Sequence, residues 1–188
     1  MRNSKRVGVE LGLSDQEKET LRHIAKTVIE SKARGKPVPE FTVDSQVLKE
    51  KRGAFVTINK GGQLRGCIGY VQAYKPLYQT VEEMAAQAAF NDPRFDPVTE
   101  KDLPDLEIEI SVLTPLRRIT DVEKIEVGKH GILIEKGFYS GLLLPQVATE
   151  YDWDRKTFLE HTCLKAGLPT NAWKDKDVVI SIFSADIF

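Results

Sequence analysis

Apolar residues recur at helical spacing in three stretches of the chain and alternate at period two in one. Leu21, Ile24, Ala25, Val28 and Ile29 share a helical face, and Ser14 with Glu17 three residues later is a capping-box signal. They predict a helix from about Ser14 to about Arg34, ended by Gly35 and Pro37, with His23 off the apolar stripe. Leu77, Val81, Met84, Ala85, Ala88 and Ala89 predict a second helix, from near Pro76 to the turn at Asn91. Asp154 caps a third, which carries Phe158, Leu159, Thr162, Cys163 and Ala166 and is closed by Gly167 and Pro169. LEIEISVL, residues 106–113, alternates apolar and polar and is the strongest strand signal, with Pro115 ending it. Residues 178–184, VVISIFS, read as a last strand returning to the main sheet. Weaker strands at Gly131 to Glu135 and Gly141 to Leu144 surround glycine-containing turns. Residues 36–52 show no period and read as a connector with a helical turn at Ser45 to Lys49.

Between these lies AFVTINKGGQLRGCIGYV, residues 54–71, two β-rich runs around Gly61 and Gly62 that predict a hairpin. Its loop length decides which side chains share a face, because one residue more or less turns every side chain over. A two-residue loop would put Val56 and Ile58 beside Arg65 and Cys67, leaving a guanidinium on an apolar surface. A three-residue loop, Lys60 to Gly62, groups Val56, Ile58, Leu64 and Ile68 as the core face. Thr57, Asn59, Arg65 and Cys67 then form the other face, with Phe55 its one apolar exception. The second arrangement segregates apolar from polar and is the one expected.

Short, hairpin-connected strands interleaved with helices, without regular βαβ alternation, define an α+β class with a mainly antiparallel sheet, flanking helices and a second, smaller lobe. The 188 residues form a single domain, the larger lobe taking about 14–113 plus 154–188 and the smaller about 114–153. Lys plus Arg number 27 against 28 Asp plus Glu, so there is no global basic field for nucleic acid, although a local patch stays open. No signal segment or membrane span is visible, and a cytoplasmic protein is expected. Two cysteines and three histidines supply neither a disulfide framework nor a zinc spacing, so reduced thiols are the default and no metal site is assigned. Glycine-rich nucleotide loops and the familiar hydrolase signatures are absent, and the residues assign no cofactor.

Five motifs then combine in order: LRGCIGY at 64–70, DPRF at 92–95, SVLTP at 111–115, GKHGI at 128–132 and LLLPQV at 142–147. Together they resemble the AMME chromosomal region gene 1 protein family, whose microbial members are called AmmeMemoRadiSam system protein A. The resemblance runs from about Leu13 to the end of the sequence. It implies a two-lobed fold with the hexapeptide LRGCIG at a cleft between the lobes, and genomic association with a MEMO-like protein and a radical SAM protein. It supplies no reaction.

Each candidate site residue has two readings. Cys67 is a nucleophile if a neighbouring guanidinium, that of Arg65, and exposed backbone N–H groups favour its thiolate. Otherwise it is a small residue packed where Gly66 and Gly69 let another backbone approach. His130, on a glycine-flanked turn, is the natural general base, or a turn histidine bonded to backbone. Asp92 and Arg94 bind a charged ligand, or cap and pair across their own loop. Tyr70, Tyr74, Trp153 and Trp173 supply an aromatic platform, or serve as core and rim. Two functions follow. One is a cysteine-dependent enzyme or substrate-handling component using Cys67, Arg65 and His130. The other is a non-catalytic module that binds a protein or nucleic acid.

Overall fold

A computed structural model describes residues 7–188 of the chain. Its contacts divide into two compact units, one of residues 11–115 with 187–188, the other of Leu116–Asp186 with residues 7–10.

In the first unit the capping box forms as the sequence indicates. Ser14 starts α1 (Asp15–Ala33), its Oγ accepting from the Glu17 N–H while the Glu17 carboxylate accepts from the Ser14 N–H. A short helix α2 (Gln46–Lys49) breaks the connector, capped by Ser45. Strands β1 (Ala54–Lys60) and β2 (Gln63–Tyr70) form the hairpin, helix α3 (Leu77–Phe90) follows, and β3 (Leu106–Leu113) pairs with the far side of β1. All pairs are antiparallel, in the order β2-β1-β3, so β2 is an edge. Helices α1 and α3 cover one face. Ala54, Val56 and Ile58 alternate inward on β1, Ile110 and Val112 meet them from β3, and Leu21, Ile24, Val28, Val81 and Ala85 close over them. Truncating one of these buried Leu or Ile side chains to Ala would cost about 2–5 kcal/mol. Phe188 exchanges two backbone hydrogen bonds with Ile110, and the cationic ends of Lys18 and Arg22 lie over its ring.

The second unit pairs its strands antiparallel in the order β4-β7-β5-β6, with β4 (Arg117–Ile119), β5 (His130–Lys136), β6 (Tyr139–Leu143) and β7 (Val179–Ile187). Helix α5 (Arg155–Lys165) packs on β5 and β6, burying Phe158, Leu159 and Cys163 against Ile132, Ile134 and Ile182. A short helix α4 (Pro145–Glu150) precedes it. Both α5 and residues 179–186 therefore belong with residues 116–153, where the sequence pattern had grouped 154–188 with the larger lobe. The reason is pairing: β7 lies between β4 and β5.

Candidate functional site

The hairpin turns through Gly61 and Gly62, both at positive φ (57° and 75°), and Lys60 pairs with Gln63. This is a two-residue loop of the kind that needs glycine at both places. The expected three-residue loop is thus corrected, and so is Leu64, which pairs with Asn59 and is 43% exposed instead of buried in the core. A β-bulge at Arg65 restores the anticipated faces beyond it: Gly66 opposes Ile58, Cys67 opposes Thr57 and Ile68 opposes Val56. The apolar pattern wins by inserting a residue in the strand and leaving the turn short.

From the bulge, Arg65 reaches away to donate from Nη1 to the Asp96 carbonyl at 2.5 Å and from Nη2 to the Pro97 carbonyl at 3.4 Å. Gly66 faces α3. A Cβ there would stand 2.1 Å from the Ala88 carbonyl oxygen, so the helix sits directly on the strand because nothing projects from it. Gly69 lies under the Phe55 ring, 2.4 Å from where its Cβ would be.

Cys67 is half-buried, and its Sγ receives a hydrogen bond from Thr57 Oγ1 at 3.3 Å. Its main chain points outward from the free edge of β2, where no strand follows. Two side chains from the Asp92–Phe95 turn take the strand's place. Asp92 Oδ2 accepts the Cys67 N–H at 3.0 Å, and Arg94 Nη2 donates to the Cys67 carbonyl at 3.1 Å. Arg94 also clasps Asp92 through Nε and Nη2, at 2.9 and 2.7 Å. The pair supplies one acceptor and one donor at the spacing a strand would, and so closes an otherwise reactive edge.

Electrostatics follow from this geometry. Hydrogen bonds from Arg94 hold the Asp92 carboxyl far below the usual carboxylate range, against its burial and with help from the Cys67 and Arg94 N–H groups. Burial pushes the Cys67 thiol up, and this outweighs the Thr57 hydrogen bond and the Arg94 charge. Arg65, the candidate cation for a thiolate, has its guanidinium held by loop carbonyls, and the Cys67 N–H is spent on a carboxylate.

His130 belongs to the other unit. It is buried, its Nδ1 accepts the Glu126 backbone N–H at 3.1 Å, and a hydrogen bond with the Lys124 backbone engages the ring as well. Burial lowers its pKa. An imidazole bonded to the backbone of its own loop is the arrangement of the turn-histidine reading.

The structure therefore brings Cys67, Asp92 and Arg94 together through the main chain, with Arg65 beside them. Arg65, Pro93, Arg94, Phe95 and Asp96 line an open pocket of about 400 Å³, with the Arg94 guanidinium over the Phe95 ring. The sequence motifs assigned no role to Phe95 and Asp96, although both lie in the DPRF-DP turn. A groove of about 730 Å³ along α1 sets Arg22, Lys26 and Arg34 opposite Leu103, Leu106 and Ile108, its charges paired with Glu19, Glu30 and Glu100. Of the proposed aromatic platform, Tyr70 packs edge-on to Tyr74, while Trp153 stacks between Tyr151 and His161. Among the described residues no His, Cys, Asp and Glu cluster could hold a metal ion, and no helix is long and apolar enough to cross a membrane.

An α+β chain of antiparallel sheets and flanking helices, with an RGCIG edge strand fastened to a DPRF turn, is a protein of the AMMECR type. The AMMECR1 family model matches residues 22–188. A protein of Methanothermobacter thermautotrophicus is 45% identical over 94% of the chain and 95% of its own length, and one of Thermococcus kodakarensis 43% identical over 94% and 91%. The crystal structure of an uncharacterised protein from Pyrococcus horikoshii superposes with a TM-score of 0.88 at 40% identity, covering 93% of this chain and 92% of that one. The chain belongs to the AMMECR1 family.

Proposed function

We propose that this chain is a non-catalytic protein-binding module whose contact surface is the pocket of Arg65, Pro93, Arg94, Phe95 and Asp96. One observation carries the reading: the Cys67 N–H and carbonyl are consumed by Asp92 and Arg94, so the RGCIG strand serves to anchor the turn that lines the pocket. A nucleophile would need a thiol with a lowered pKa and a base in reach, and here burial raises the thiol. The expected partner is the MEMO-like protein implied by the family resemblance, with the radical SAM protein joining the same assembly.

The test is calorimetric titration of a MEMO-like protein into this chain. Phe95→Ala and Arg65→Glu should weaken binding about tenfold or more, as central aromatic and arginine contacts do, while Cys67→Ala binds like wild type. The reading falls if Cys67→Ala abolishes binding with its melting curve unchanged. It falls equally if native Cys67 is alkylated at pH 6–7 as fast as a free thiol at pH 8.5, which would restore the cysteine-dependent enzyme.

A further inference from the structure

The segment Tyr151-Asp152-Trp153-Asp154 joins α4 to α5. Asp152 is the one non-glycine among the described residues with a positive φ, 52°. That conformation is costly for a residue with a Cβ and is best borne by Asp or Asn. It turns the chain between the two aromatic residues so that their rings lie parallel, with centroids 5.0 Å apart at 19°. Trp153 in turn lies on the His161 imidazole of α5, at 3.9 Å and 15°. Asp154 fixes the base of the column by accepting the Thr157 N–H as the α5 cap. The result is three stacked rings ending in Tyr151, which is 66% exposed.

The charges around the outer ring are unbalanced. Glu150 and Asp152 flank Tyr151, both are exposed, and neither forms an ion pair among the described residues. The basic residues nearest in sequence are committed elsewhere, Arg155 to Glu123 and the Ile125 carbonyl, Lys156 to Glu160. An electron-rich ring face backed by two further aromatic rings and bordered by two uncommitted carboxylates attracts a cation and repels a phosphate. A planar guanidinium suits it better than an ammonium, because it can lie flat on the ring while its N–H fork reaches the carboxylates.

We propose that the outer face of Tyr151, with Glu150 and Asp152 beside it, binds an arginine side chain of a protein partner. The site is in the unit of residues 116–186 and stands independently of the Arg65 pocket.

The chain has two tryptophans, so its indole N–H resonances separate the column from the rest of the molecule. Titration of the intact protein with acetyl-Gly-Arg-Gly-amide should move the Trp153 resonance and leave Trp173 in place. The citrulline peptide, equal in shape but uncharged, should bind about tenfold more weakly or less. Tyr151→Ala should abolish the shift. Asp152→Asn, which tolerates the same backbone conformation, and Glu150→Gln should each weaken binding several-fold. The proposal is overturned if the citrulline peptide binds equally, if Tyr151→Ala binds as wild type does, or if only a thymidine oligonucleotide moves the Trp153 signal, which would make the column a base-stacking platform.

Discussion

Asp92 accepts four hydrogen bonds on one carboxylate, from the Cys67 N–H, the Arg94 N–H, and Arg94 Nε and Nη2. Its side chain is 1% exposed, whereas that of Arg94 is 47% exposed, so solvent screens the ion pair and the enclosed hydrogen bonds matter more. Removing the carboxylate leaves the Cys67 N–H unanswered, and Asp92→Ala is expected to lose about 2 kcal/mol. The pH dependence has a definite sign. A carboxylate whose folded pKa lies below its unfolded value of about 3.9 stabilises fully above that value, and the contribution drains away as pH falls toward the folded pKa. The melting-temperature gap between wild type and Asp92→Asn should therefore be widest near pH 6 and shrink steadily from about pH 4 to pH 2. Cys67 titrates in the other sense. With its thiol pushed up by burial, iodoacetamide should label it slowly in the native protein, and Cys67→Ser should retain the fold because Thr57 stands ready as a hydrogen-bond partner.

At the scale of elements, α3 and β2 meet at a place where only glycine fits. Gly66→Ala must move either the strand or the backbone of Ala88, and overpacking of this kind costs about 1–3 kcal/mol or more. Gly62→Ala meets no neighbour but carries a positive φ, so its cost is strain of about 1 kcal/mol. Thermal denaturation of the two variants should rank Gly66→Ala as clearly the worse. The helices α1, α3 and α5 and the strand β3 were legible because each has a periodic apolar stripe, and α1 and α5 also carry an explicit side-chain cap. The faces of the hairpin were legible from Cys67 onward for the same reason. The turn was misread because apolar–polar segregation can be achieved by a short loop plus a bulge as well as by a longer loop, and a bulge leaves no mark in composition. Helix α4 and strand β4 span only six and three residues, too few to show a period. At the site, RGCIG and DPRF could be picked out as motifs. That one motif supplies the missing edge partner of the other is a relation between segments 25 residues apart, and no local pattern encodes it.

For the whole molecule, 27 basic and 28 acidic residues leave a formal net charge of −1, and the cations nearest the hexapeptide are held by Asp92 and by carbonyls. Non-specific nucleic-acid affinity comes from neutralising phosphates with unpaired cations. Binding of a mixed-sequence oligonucleotide should accordingly be weak at 50 mM salt and undetectable by about 200 mM; retention at the higher salt would speak for a basic patch not apparent here. Sequence periodicity said little about which segments fold together, because the last strand reads alike whichever sheet it enters.

Glu17 does more than begin a helix. While Oε2 serves the Ser14 cap, Oε1 accepts a 2.5 Å hydrogen bond from Ser45, whose hydroxyl also caps α2, so one carboxylate holds both ends of a 28-residue stretch. In effect it is a buckle on a strap. The Ser45 hydrogen bond keeps the Glu17 carboxyl below its ordinary pKa, so the buckle stays charged until the pH falls below the ordinary carboxylate range. Glu17→Gln would loosen it at neutral pH. The mark of that loosening would be faster nicking by a protease somewhere in residues 35–44, with the helical circular dichroism signal intact.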